Sequence, residues 1–168
     1  SCIDVDDLST VEAESRRRMM EMIDFYRKKL PGFENAYVHT TAPQMGTRHS
    51  RRLVGVTEMK RSDWTSGVIH DDEIGISPAP NARHPNVSVP YNSLVPIKVN
   101  GLLAAGRCLS TDPITHTFMR EVPQSWLLGQ GAGAAAAQAA NKGIEVRDVN
   151  IQELQAELRK QGVILHDN

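Results

Sequence analysis

The chain has 168 residues, 40% of them hydrophobic, with 19 basic against 20 acidic side chains and a formal net charge of −1. That balance excludes the basic footprint of a nucleic-acid binder and the polybasic patch of a membrane-surface protein. No apolar run reaches the roughly 20 residues that cross a bilayer, so length and composition indicate one soluble globular domain with a real core.

The chain opens on Ser1, where translation cannot begin, and no signal peptide follows. We therefore expect a processed product, an excised fragment or a trimmed chain. Ser9, Thr10 and Glu12 read as a capping box that starts a helix. Met19, Ile23, Tyr26 and Leu30 continue it at helical spacing until Pro31 and Gly32 stop it. Arg16, Arg17 and Arg18 read as a solvated helix face.

From residue 36 to about 91 the texture changes to short β-type runs broken by Gly, Pro and Asn. Residues 36–40, 51–57, 67–76 and 87–90 are candidate antiparallel strands. The run from Gly101 to Gly106 is continuous and apolar, as a strand buried on both faces would be. Residues 125–142 give the strongest helix signal, although Gly129, Gly131 and Gly133 cost it roughly 1 kcal/mol each in propensity. Either this helix packs closely on a sheet, or something bulky lies against its backbone. Asn150 and Glu153 read as a second capping box, opening a short amphipathic helix that Gly162 ends.

Few constellations point to chemistry. The two cysteines, Cys2 and Cys108, are too few for a disulfide framework or a cysteine-only zinc site, and fit a reducing, cytoplasmic compartment. The six histidines are scattered, so no metal is expected. The glycine pattern over 129–134 formally satisfies a dinucleotide-binding turn, which would imply a nicotinamide-dependent dehydrogenase. Its context fails, because that turn needs a strand directly before it, and here Pro123 and a helical approach precede it. Arg48, Arg51 and Arg52 cluster beside a candidate strand, where guanidiniums suit a carboxylate or phosphate, or simply an exposed edge.

Several of these pieces fall in a recognisable order. Residues 48–55, with their arginines, and residues 89–96, with Pro90, Tyr91 and Pro96, resemble strand motifs of FAD-dependent oxidoreductases. Residues 101–108 are similar to the late strand of that family, whose end sets a glycine against the flavin nucleotide. Arg120, Pro123 and the small residues from Gly129 to Ala135 resemble its closing arginine and small-residue helix, and residues 143–154 its usual ending. The resemblance covers roughly 48–165. It departs from the usual pattern at Thr117, Glu121 and Ser125, where glycine, an apolar residue and cysteine are common.

The resemblance implies an α/β fold, or an α+β fragment: part of an antiparallel-sheet substrate domain, then the last strand and helix of a Rossmann-like, glutathione-reductase-like FAD-binding domain. Residues 1–92 would be a helix with substrate-domain strands, 93–145 the end of the FAD domain, and 146–168 a helical tail. FAD would be the cofactor, met by Gly106, Arg107, Arg120, Pro123, Gln130, Gly131 and Gly133. His116 and Tyr91 would transfer protons or orient substrate, and Arg48 and Arg51 would hold an anionic or polyhydroxylated small molecule. The family's N-terminal nucleotide-binding unit is absent, so the resemblance implies a partner polypeptide carrying it, from the same precursor, with no nucleic-acid or membrane partner. The alternative is a non-catalytic subunit that keeps the half-fold without the chemistry.

Overall fold

The computed structural model describes residues 1–166. Its contacts divide the chain into two units, Ser1–Arg51 and Arg52–Asn168.

The first unit is built on one long helix, α1 (Val5–Lys29). It starts five residues earlier than the hydroxyl-led box suggested, with its cap at Asp4 rather than Ser9. Asp4 is the cap, its carboxylate accepting from the amides of Asp6 and Asp7 at 3.0 Å each. Those two acids also sit where the helix dipole favours negative charge. Ser9 instead lies within the helix and donates to the Val5 carbonyl at 2.8 Å. Leu30 closes the helix, and Gly32 turns away at φ +88°. Arg16, Arg17 and Arg18 pair with Glu12, Glu14 and Glu21 along the helix, forming the solvated face that their pattern suggested. No residue of α1 is fully buried. Residues 36–40 form no strand, and the chain from 34 to 51 is irregular.

The second unit contains α2 (Arg61–Thr65), β1 (Glu73–Ser77), β2 (Val87–Pro90), α3 (Pro113–Met119), α4 (Val122–Lys142) and α5 (Ile151–Lys160). β1 and β2 form a two-stranded antiparallel sheet, with Ile76 opposite Ser88 and Ser77 opposite Val87. Of the four candidate strands, 87–90 forms in full and 67–76 shortens to its second half. Residues 51–57 make only an isolated bridge, between Gly55 and Pro96.

α4 lies across β1 and buries Gln124, Leu128, Gly131, Ala135 and Ala139. Small residues allow this approach. A Cβ added at Gly131 would meet Ile74 Cδ1 at 2.8 Å, and Gly75 of β1 sits beneath Leu127 and Val163. The close-packing reading of the helix is thus realised at Gly131. Gly129 and Gly133, by contrast, face open space on the far side. The glycine pattern over 129–134 lies inside α4, so it is no nucleotide-binding turn and the nicotinamide reading fails with it.

α5 begins at Asn150, whose side chain accepts from the Glu153 amide at 3.0 Å. Only half of the expected box forms, because the Glu153 carboxylate turns to Gln138, at 2.8 Å, and to Lys142 on α4. The largest correction concerns residues 101–106. They form no strand, and Leu102 is 48% exposed. A strand exists only by pairing, and one backbone bond, from Ala104 to the Leu94 carbonyl, does not make a ladder. The observed fold is therefore mixed α/β, with one small antiparallel sheet. Among the described residues no helix is long and apolar enough to cross a membrane.

Candidate functional site

In the second unit, five of the candidate residues lie on or beside α3: Gly106, Arg107, His116, Arg120 and Pro123. Asp112 caps this helix, with Pro113 in its first turn, where a missing N–H costs nothing. One Asp112 oxygen accepts from Thr115 N at 2.7 Å and the other from Arg61 N at 2.8 Å, so a single carboxylate ties α3 to α2. Burial alone would raise this carboxyl, but the amides of Thr115 and Arg61 bring it below its ordinary value. Trp64 adds a second tie, its indole donating to Thr115 Oγ1 at 3.0 Å inside the core.

α3 also grips the turn in front of it. His116 is 1% exposed, and its Nε2 lies 2.7 Å from the carbonyl of Arg107. A carbonyl only accepts, so Nε2 carries the hydrogen there. The held segment is a tight turn closed by Leu109 N–H donating to the Gly106 carbonyl at 3.1 Å. Gly106 adopts φ +85°, which favours glycine, and nothing lies within 4 Å of where its Cβ would be. Arg107 and Cys108 are exposed on the turn.

α3 runs almost directly into α4. Arg120 ends α3, Glu121 precedes α4, and the two pair at 3.1 Å. Pro123 and Val122 are exposed in the first turn of α4, and Trp126 is 73% exposed just behind them. Gln124, in the same turn, is 8% exposed, and its Oε1 has no hydrogen-bond partner among the described residues. Gln130 lies away from this end and donates to Gln161 of the α5 side at 3.1 Å. At the three departures, Glu121 caps no amide with its side chain, Thr117 donates to the Ile114 carbonyl, and the Ser125 amide donates to the Glu121 carbonyl.

Tyr91 stands apart from this group. It is 1% exposed, its hydroxyl donates to the Val146 carbonyl at 2.6 Å, and burial pushes its phenol up to about 12. Arg48 and Arg51 belong to the first unit and are exposed. The structure thus brings Gly106, Arg107, His116, Arg120 and Pro123 together along one connected stretch.

A family model described as FAD dependent oxidoreductase matches residues 1–158, nearly the whole chain. The chain belongs to the FAD-dependent oxidoreductase family. The match includes α1 and the irregular segment after it, well ahead of the motifs at 48–55. No characterised protein and no solved structure matches the chain. The cofactor of this oxidoreductase is FAD. The residues present suit such a group: an open glycine turn that a Cβ-bearing residue would strain, a helix start with free amides, and one buried amide oxygen lacking a partner. Sequence reasoning missed Asp112, Trp64 and Gln124. The Asp112-Pro113 pair was a legible helix start, whereas a partnerless Gln124 oxygen has no sequence signal.

Proposed function

We propose that this chain is the C-terminal portion of a two-part FAD-dependent oxidoreductase, completing the flavin site and supplying part of the substrate pocket. The observation that favours this reading is the continuity of one short helix. α3 holds the Gly106 turn through His116 at one side and leads into the first turn of α4 at the other. In this reading Gly106 and Arg107 meet the ribityl or pyrophosphate region. The first turn of α4, with Pro123 and the unpartnered Gln124 oxygen, meets the pyrimidine edge of the ring system. FAD supplies hydride acceptance there. The chain's contribution is to place donors where negative charge develops, since a helix start has amides without internal acceptors and the positive end of a dipole. Arg120, Gln130, Gly131 and Gly133 are assigned a supporting role, with Gly131 acting through its packing on Ile74.

Arg48 and Arg51 are assigned to an anionic or polyhydroxylated small-molecule substrate, because both are exposed guanidiniums suited to bidentate contacts. The 101–106 segment, which forms no strand, and the open face of α4 at Gly129 and Gly133 suit a second polypeptide that packs on them and carries the nucleotide-binding unit. A reducing, cytoplasmic compartment accords with Cys2 and Cys108, both exposed thiols.

One observation favours a non-catalytic reading of the chain. The Tyr91 hydroxyl and His116 Nε2, the two expected proton-transfer groups, are both engaged with backbone carbonyls. Flavin release from the natively purified, then denatured protein, combined with native mass spectrometry, tests the proposal. One FAD per chain together with a companion polypeptide supports it. A colourless, stable monomer of this chain overturns it.

A further inference from the structure

We infer that His116 is a positioning residue that sets the direction of the peptide group between Arg107 and Cys108, turning the Cys108 amide outward as a hydrogen-bond donor to the flavin nucleotide. The inference rests on the flavin-site reading given above, and deepens it.

The geometry leaves this peptide little choice. Gly106 to Leu109 form a four-residue turn closed by the Leu109 amide on the Gly106 carbonyl, so the 107–108 peptide is its central one. Type I and type II turns differ by a flip of that central peptide, which exchanges the directions of its carbonyl and its N–H. A trans peptide points the two groups opposite ways, and every peptide described here is trans. The Arg107 carbonyl is held at 2.7 Å by His116, a side chain 1% exposed in the core. With the carbonyl aimed at the interior, the Cys108 N–H faces the exposed side, where Gly106 leaves its flank open.

A second lock acts on the same bond. The flipped, type II form requires φ above zero at Cys108, and no residue other than glycine adopts positive φ among the described residues. His116 therefore fixes the carbonyl, and the Cβ of Cys108 disfavours the alternative. A neutral donor aimed at a phosphate or ribityl oxygen needs no side-chain ordering when the cofactor arrives. This explains a buried histidine in a role other than proton transfer. Its Nε2 hydrogen is spent on Arg107.

The test uses the native, full protein. In the wild type, amide exchange at Cys108 should slow when FAD binds, a readout independent of any variant's folding. His116→Phe keeps the ring volume and removes the donor, and should weaken FAD binding by about three- to tenfold, the range for one lost hydrogen bond. His116→Gln restores a donor and should recover most of that loss, which a purely space-filling role would not. Adding Cys108→Gly to His116→Phe frees the flip and should weaken binding beyond the sum of the single changes. If FAD binds stoichiometrically yet the Cys108 amide exchanges as before, or His116→Phe binds FAD like the wild type, the inference is wrong and the site reading stands. If the wild type takes up no FAD, both fall.

Discussion

Gly131 and Gly133 sit two residues apart on α4, yet their surroundings separate them. Gly131 lies against Ile74, whereas nothing approaches Gly133. Gly131→Leu should therefore destabilise the fold by about 1–3 kcal/mol through overpacking, visible as a fall in Tm without any cofactor present. Gly133→Leu should leave that Tm nearly unchanged, and any loss of flavin it causes would report on the open face alone. Tyr91 gives a residue-scale prediction of different kind. Its phenol is raised to about 12, so it stays protonated in the folded protein at pH values where an unfolded tyrosine ionises. Stability should be intact below about pH 10 and decline between about 10 and 12, as the unfolded chain alone releases its proton. Tyr91→Phe should flatten that decline, cost about 0.5–1.5 kcal/mol for the bond to Val146, and leave the pH–rate profile unaltered. A shifted profile in Tyr91→Phe would restore a proton-transfer role. Arg48→Ala and Arg51→Ala should change Tm little, since exposed arginines contribute about 0–1 kcal/mol per surface pair. A raised KM with unchanged Tm would place them at the substrate.

Among the elements, α3 is the short helix on which the proposed site depends, and Asp112 caps it. Replacing Asp112 by Ala removes acceptors from Thr115 and Arg61 together and should cost about 1–2 kcal/mol, the upper range for a lost cap. Because the folded carboxyl lies below its ordinary value, its contribution is present above about pH 4 and is lost as pH falls through the folded value. An acid titration followed by circular dichroism should show this step in the wild type and lose it in Asp112→Asn. The elements also show what a sequence can convey. α4 and α5 were legible because caps, glycines and periodicity are local: Gly143 ends α4 in the left-handed region and Asn150 starts α5. β2 was legible for the same reason, as Pro85-Asn86 and Pro90 bracket a short run with two valines. The 101–106 strand was not, because a strand is decided by its neighbours and apolar content cannot say whether they exist. The start of α1 was misplaced because two capping patterns competed, and the acidic one at Asp4 also suits the helix dipole.

At the scale of the whole molecule, the chain belongs to the FAD-dependent oxidoreductase family, and its cofactor is FAD. Leu102 and Trp126 are largely exposed, and Gly106, Gly129 and Gly133 each have open space where a Cβ would be. Soluble proteins keep such apolar surface for a ligand or a partner. The candidate site was half legible in the sequence: its order of motifs was visible, while the grip of His116 on Arg107 depends on a fold that no spacing rule describes. In the proposed site the flavin meets this chain at the Gly106 turn and the first turn of α4. A photoreactive FAD analogue, bound to the native protein and mapped by peptide mass spectrometry, tests it most directly. Label is expected on peptides spanning 101–112 and 120–131, displaced by excess FAD. Competable label confined to α1 or α5, with those two peptides untouched, would contradict it.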